Sequence, residues 1–313
     1  LALPSDLVAI GEVGLAGEAL ILDAALGEPK LIWDRYPHPA VLMGRLVGWS
    51  DDRFNVGSNK RLKGVAVMVA LGVAALVLGW LIHLLPDFGI IEILLAAILL
   101  AQRSLVQHVG AVAVGLRTSL KDGQSAVAMI VGRDTTVLDE SGVARAAMES
   151  LAENTSDGIV APLFWGAIFG LPGIAAYKAI NTLDSMIGHR TPRFEAFGWA
   201  SARIDDLVNL PASRLTGALF ALTSARPVHA FRIIWRDAGL HRSPNAGWPE
   251  AAMAAALNVR LSGPRVYANR IAQEPWVNAG APDPTANDLQ RGLALYARAM
   301  FVLICGLAVL ALV

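Results

Sequence analysis

Carboxylates, carboxamides and single basic residues crowd two short blocks of this sequence. The first reads Glu149-Ser150-Leu151-Ala152-Glu153-Asn154-Thr155-Ser156-Asp157-Gly158. The second reads Tyr177-Lys178-Ala179-Ile180-Asn181-Thr182-Leu183-Asp184-Ser185-Met186, and Ser201-Ala202-Arg203-Ile204-Asp205-Asp206 follows it closely. Glu149, Glu153 and Asp157, with Asp184 and the Asp205–Asp206 pair, make an oxygen-rich set. A hard cation such as Mg²⁺ takes oxygen ligands, usually one or two carboxylates completed by substrate phosphates. Arg133, Lys178 and Arg203 suit phosphoryl oxygens, by fork or by point charge. Asn154 and Asn181 add neutral donors and acceptors that can orient a substrate amide or carboxylate.

The competing reading is ionic packing. Arg145 and Glu149 would then be an ordinary surface pair, worth about a few tenths of a kcal/mol, and Asp205–Asp206 a solvated turn. Between the two blocks, residues 159–176 carry no charge. Ionisable groups beside such a segment are expensive to place and usually functional, which favours a metal–phosphate site. The sequence has no G-x-x-x-x-G-K-[ST] loop, no G-x-S-x-G nucleophile and no H-E-x-x-H pair, so any nucleotide is held in another way.

The elements that must position these blocks are largely apolar. Of the 313 residues 55% are apolar and 17% charged, against about 45–50% and 25% in ordinary soluble domains, which points to a membrane protein. With 26 basic and 26 acidic residues the formal net charge is zero, which argues against a nucleic-acid partner. The single cysteine, Cys305, rules out an intrachain disulfide and a cysteine zinc cluster. The first residue is leucine, so an earlier natural start is expected.

Periodicity and composition predict an all-α, polytopic integral membrane protein, one domain over 1–313, with about four to six membrane-embedded helices. Residues 7–26 carry Glu12, Glu18 and Asp23; they read equally as an amphipathic helix beside the bundle or as a span with a polar inner face. Residues 64–85 are the clearest span, and 88–101 return as a shorter helix to complete a hairpin. Residues 159–176 contain Pro162 and Pro172 and are expected to dip in and return, since irregular backbone at depth is tolerated only in a protein-lined place. Residues 207–222 form a partial helix and 293–313 a last span. Helical cytoplasmic segments are expected over 27–63, 103–158, 177–206 and 224–292. Seven basic residues between Lys30 and Lys63 set the first of these inside. His38, between two prolines, reads as part of a rigid turn before it reads as a ligand.

Several unusual strings in order carry a resemblance over about residues 22–267. They are Leu22-Asp23 to Pro29, Pro37-His38-Pro39, Ile130 to Thr135, Glu149 to Trp165, Tyr177 to Gly188, Phe197 to Asn209 and Ser243 to Pro264. Through them the sequence resembles the adenosylcobinamide-phosphate synthase family, the CobD/CbiB membrane proteins of cobalamin biosynthesis. The resemblance implies a multi-pass enzyme of the cell inner membrane with its site on the cytoplasmic side. It implies an ATP- and Mg²⁺-dependent acid–amine ligase that joins (R)-1-amino-2-propanol, or its O-phosphate, to a propionate carboxylate of adenosylcobyric acid. Glu149, Glu153, Asp157 and Asp184 would hold Mg²⁺. Arg133, Asn154, Asn181, Arg203 and Asn245 would hold substrate or phosphate. Lys178 would be catalytic, and Asp134 or Asp205 would take the amine proton. Partners in this picture are the corrinoid acid, the amino alcohol, ATP and the bilayer, together with a second copy or other proteins of the pathway. Glu28, His189, Ala255, Ser262 and Asn269 depart from the family pattern and bear on fine substrate preference. Two rivals stand beside it: a membrane transferase acting on a Mg²⁺-diphosphate, and a non-catalytic sensor on the same scaffold.

Overall fold

The computed structural model describes residues 5–27, 33–87, 89–267 and 270–312. Glu28, Pro29, Lys30 and Asn269, named above, and residue 88, the first of the expected helix 88–101, lie outside the described residues. In chain order the first helices are α1 (Ser5–Leu26), α2 (Pro39–Phe54), α3 (Lys60–His83), α4 (Ile90–Leu99), α5 (Gln102–Thr118), α6 (Leu120–Val127) and α7 (Glu140–Thr155). A π-helical turn over Ser156–Val160 leads into α8 (Ala161–Ile187), and then come α9 (Trp199–Val208), α10 (Leu210–Leu222), α11 (Pro227–Asp237), α12 (Gly247–Leu257) and α13 (Ala286–Leu310). Before α13 lie β1 (Leu261–Ser262), β2 (Arg265–Tyr267), β3 (Arg270–Ala272) and β4 (Trp276–Val277), which form two antiparallel ribbons, β1 with β4 and β2 with β3. Helix predominates among the described residues, so the fold is all-α. Lys60–His83, Ile90–Thr118, Glu140–Ile187 and Ala286–Leu310 are long and apolar enough to cross a membrane. The chain is a polytopic membrane protein.

It folds as two compact units. Unit one comprises Leu1–Ala101, Ala161–Asn209 and Gly306–Val313; unit two comprises Gln102–Val160 and Leu210–Cys305.

In unit one α3 has 24 residues, about 36 Å of helix and enough for a hydrocarbon core of about 30 Å. Val69, Val73, Leu76, Leu78 and Leu81 project outward from it, as a lipid-facing surface requires. Its inner face approaches unusually closely. A Cβ on Gly64 would collide with the Phe197 carbonyl, and one on Gly79 would lie 2.7 Å from Pro172 Cα. Small residues at such contacts let backbones meet where water supplies no drive for association. α1 packs on α4 and α8, with Ala16, Ala19, Leu20 and Asp23 buried. Asp23 and the half-buried Glu12 therefore face the interior of the unit, while Glu18 is exposed. His38 caps α2: its Nδ1 accepts from Ala40 N at 3.1 Å.

The decisive feature of unit one is a break inside α8. Gly170 has φ 62° and ψ −151°, a conformation open essentially to glycine alone. In an unbroken helix, residues eight apart are separated by about 12 Å along the axis. Here a Cβ on Gly166 would lie 2.8 Å from Ile174 Cγ1, and one on Gly173 would run into the Trp165 carbonyl. The chain reverses at Gly170, and residues 161–169 and 171–187 lie side by side. Pro172 lacks an N–H, which costs nothing in the first turn of the returning limb. The Glu12 carboxylate sits directly against Gly170.

In unit two the Asp139 carboxylate caps α7, accepting from Gly142 N at 2.7 Å. Ile130 to Thr135 forms turns, pinned where Thr135 Oγ1 donates to Gln124 O at 3.1 Å. Residues 210–222 form a helix whose Ala212, Thr216, Phe220 and Ala221 are buried.

Gly170→Ala is expected to lower the melting temperature sharply or to abolish accumulation, because the new methyl meets both a disallowed φ and the Glu12 carboxylate. Gly72→Ala, in open space on α3, should leave the melt unchanged or raise it. Thermal unfolding of the two purified variants in one detergent checks this, and equal melts would refute the reversal.

Candidate active site

The residues singled out from sequence fall into two groups, one in each unit. Unit one gathers Lys178, Asn181, Asp184, Arg203 and Asp205. On the returning limb Tyr177, Asn181 and Asp184 follow at intervals of four and three, which sets them on one helical face. Asp205 and Asn209 stand four apart on and just after α9. Asp205 is buried, with 8% of its surface exposed, and is held at both oxygens. Asn181 Nδ2 donates to its Oδ1 at 3.4 Å and Asn209 Nδ2 to its Oδ2 at 2.9 Å. Tyr177 donates its hydroxyl hydrogen to Asn209 Oδ1 at 2.9 Å, which sets the amide so that its nitrogen faces the carboxylate. Trp165, on the first limb, donates from Nε1 to Val208 O at 3.0 Å. Both limbs of the reversal thus anchor the same end of α9.

Burial, and after it the neighbouring Asp184, push the Asp205 carboxyl up to about 7. Asp206 is also raised by burial, against the pull of Arg203 and Arg190. Asp184 lies at the end of α8, close against Gly188, where the helix carbonyls add negative potential. Lys178 is half-buried on the returning limb, and Arg203 is exposed on α9. The reading of Asp205–Asp206 as a solvated turn is overturned: they are helical, and Asp205 is among the buried residues.

Unit two holds Arg133, Asp134, Glu149, Glu153, Asn154, Asp157 and Asn245. The suggested Arg145–Glu149 pair does not form. Glu149, on α7, instead accepts from Arg133 Nη2 at 3.0 Å through Oε2 and from Ser262 N at 2.9 Å through Oε1. Arg145 turns to Asp283, at 3.1 Å. Glu153 is exposed and Asp157 partly so, in the π-turn. Asn154 Nδ2 donates to Ser150 O at 2.9 Å and Ser150 Oγ at 3.1 Å. Asp134 is exposed and closes its own turn, with Oδ1 accepting from Thr136 N at 2.9 Å and Thr136 Oγ1 at 2.6 Å. The hydroxyl contact holds its carboxyl below the ordinary range. Asn245 is buried, and its Oδ1 accepts from Ser213 Oγ at 3.0 Å and Arg214 Nη1 at 2.8 Å. It ties the turn over residues 243–246 to α10.

Sequence reasoning passed over Tyr177 and Asn209 as functional residues, and over Asp283, the partner of Arg145. The spacing of Tyr177, Asn181 and Asp184 was a readable signal. The Arg145–Asp283 pair, 138 residues apart, was not.

The family model described as CobD/Cbib protein matches residues 17–296. The chain belongs to the CobD/Cbib family. Among curated relatives of this family, a cobalamin biosynthesis protein CobD of Rhodobacter capsulatus is 57% identical over 288 residues, covering 90% of this chain and 92% of its own. Proteins of the same name from Sinorhizobium fredii and Rhizobium meliloti are 48% and 46% identical, covering 94% of this chain and 95% of theirs. No solved structure matches the chain.

The raised Asp205 pKa makes a stability prediction. Folding favours its protonated form, so this contribution is present in full below the unfolded carboxylate range and is lost as pH rises through about 7. The melting temperature should therefore fall from pH 5 to pH 8 more steeply in the native chain than in Asp205→Asn. Parallel slopes in the two proteins would contradict the buried environment described.

Proposed function

We propose that this CobD/Cbib protein is a membrane ligase of cobalamin biosynthesis. It joins the amine of (R)-1-amino-2-propanol, or of its O-phosphate, to the propionate carboxylate of adenosylcobyric acid, using ATP and Mg²⁺. Family membership over residues 17–296 supports the pathway. The single observation that carries the chemistry is Asp205: a buried carboxyl, brought to about 7 and gripped by two carboxamides.

A carboxylate and an amine do not condense at neutral pH without activation. The acid oxygen attacks the γ-phosphorus of ATP, the bond to ADP breaks, and an acyl phosphate results. The amine attacks the acyl carbon, phosphate departs with the C–O electrons, and one proton leaves nitrogen. Asp205 suits that proton, because a base near the working pH is both available and strong enough. Asp134, exposed and with its pKa lowered, is the poorer base. Asn181 and Asn209 hold the Asp205 oxygens in place, and Tyr177 holds Asn209. Lys178 and Arg203 place positive charge for phosphoryl oxygens.

The residues fit a divalent cation. Asp184, Asp205 and Asp206 press like charges together at a helix C-terminus, and a cation relieves that repulsion. Among the described residues no three acidic, imidazole or thiol groups gather as a full metal site. An ion here would take one or two carboxylates, Asp184 foremost, and complete its shell with phosphate and water, the usual habit of Mg²⁺. Bound Mg²⁺ supplies neutralisation of the phosphate charge. Glu149, engaged at both oxygens, leaves the ligand set, while Glu153 and Asp157 offer a carboxylate pair in unit two. Lys60, Arg61 and Lys63 begin α3, and Gly64 lies on Phe197. Basic ends stay inside, which supports the cytoplasmic face of the inner membrane for the turn after Asp184.

Purified protein supplied with adenosylcobyric acid, ATP, Mg²⁺ and the amino alcohol is expected to yield the amide and ADP. Asp205→Asn should lower kcat by about 100-fold or more, the size of a lost general base. Near-native turnover in both Glu153→Ala and Asp184→Ala would remove the metal assignment. Corrinoid binding without product would favour a sensor.

A further inference from the structure

One surface of unit two takes no part in the proposed reaction. Helix α11 packs on α12 through one face, with Ala230, Ile233, Ile234 and Asp237 buried. On the opposite face Val228, Phe231 and Trp235 follow at intervals of three and four, which stacks them in one stripe. They are 73%, 41% and 84% exposed. Trp235 meets Trp248 edge-on, with 6.3 Å between ring centroids, and the Arg214 guanidinium lies 4.6 Å from the Trp248 ring. The outward indole is thus braced from below. Arg232 and Arg236, one turn apart, run beside the stripe and are exposed. An exposed apolar patch rimmed by charge marks a surface that something covers. Eleven residues make about 16 Å of helix, roughly half of what a crossing needs, so α11 does not span the bilayer.

Two observations say what covers it. The first is charge. From Thr223 to Pro249 four arginines stand against one acidic residue, Asp237, which is buried and accepts from Arg236 at both oxygens. Arg242 stands 3.9 Å from Glu274. Arg226 and Arg232 have no carboxylate partner among the described residues. The second is level. Residues 299–313 carry no charge, so α13 enters the hydrocarbon beside Arg298, whose long side chain reaches back to the headgroups. Arg298 is exposed and has no carboxylate partner among the described residues either. Thr223, four residues before α11 begins, lines an open groove of about 420 Å³ with Ala297, Arg298, Phe301 and Val302. α11 therefore starts at the depth where α13 leaves the headgroup layer. A helix with Trp and Phe on one side and arginines beside them, at that depth, has the make-up of a segment lying in the plane of the interface. Exposed arginines there meet lipid phosphates, which accept charge-assisted hydrogen bonds.

We propose that α11 is an in-plane membrane helix that binds anionic phospholipid. Val228, Phe231 and Trp235 sit in the acyl boundary of the bilayer that the spans cross. Arg226, Arg232 and Arg298 hold the phosphates, and the groove against Phe301 and Val302 takes an acyl chain.

Two measurements on the full chain test it. In the first, Cys305, which is exposed, is replaced by serine, and Val228→Cys or Trp235→Cys carries a fluorescent label. The protein sits in vesicles of phosphatidylcholine and phosphatidylglycerol in equal parts. A quencher on the upper acyl chain should dim both labels several-fold more than aqueous iodide does. Stronger quenching by iodide puts the stripe in water, and quenching by neither puts protein over it; each overturns the proposal. In the second, melting temperatures in detergent are compared after adding phosphatidylglycerol or phosphatidylcholine with the same chains. Phosphatidylglycerol should stabilise the native chain further, and salt should weaken that advantage. The combined variant Arg226→Gln, Arg232→Gln, Arg298→Gln should lose most of it. No advantage in the native chain, or one undiminished in the variant, overturns the anionic-lipid assignment. The labels decide the position of the stripe even where the triple variant fails to fold.

Discussion

Every peptide group inside an apolar environment must find its hydrogen-bond partner within the protein, and unit one depends on how one reversal meets that demand. The turn at Gly170 interrupts a helical run at a residue that bears no side chain, with proline next but one. It sets two limbs side by side and so turns a linear sequence into a surface. Trp165 and Tyr177, twelve positions apart, both reach residues 208–209. An unbroken helix would carry them about 18 Å apart along its axis. The reversal is thus the condition for holding Asp205 as it is held.

The two acidic clusters handle buried charge differently. Around Asp205 in unit one, carboxylates meet carboxylates at the end of a helix, and carboxamides rather than cations hold the most buried of the three. That arrangement lifts an acid toward neutral pH, where its proton becomes mobile. In unit two, guanidiniums meet carboxylates in pairs, and Glu149 and Asp283 are each fully engaged. The first arrangement crowds like charges, and the second is rigid, its carboxylates held by guanidiniums. The same residue types yield these opposite characters through their neighbours alone.

Much of this was legible in the chain. The uncharged run 64–85 announced α3, and Asp139 announced the start of α7. Pro172 and the glycines near it, placed between two polar blocks, gave reason to expect irregular backbone there. The strings spread in order from Leu22 to Pro264 carried the family. The competing reading and the open choices are instructive too. Arg145 and Glu149, one turn apart on a helix, looked like natural partners. Each instead found a partner from a distant segment, because exposed helical pairs are weak and a buried charge-assisted bond is stronger. Asp134 and Asp205 were indistinguishable as bases until burial separated them: one sits in solvent below its ordinary range, the other under cover near 7.

The sequence by itself determined which residues are available, the lengths of the apolar helices, the family, and which positions share a helical face. These follow from local properties: side-chain chemistry, rise per residue and periodicity. Tertiary structure alone decided that Tyr177 aligns Asn209 on Asp205, that Glu149 belongs to Arg133 and Ser262, and that Arg145 and Arg260 share Asp283 beside Trp276. Hydrogen-bond partners and desolvation depend on distances across the fold, and residues 24 to 138 positions apart carry no local mark of one another.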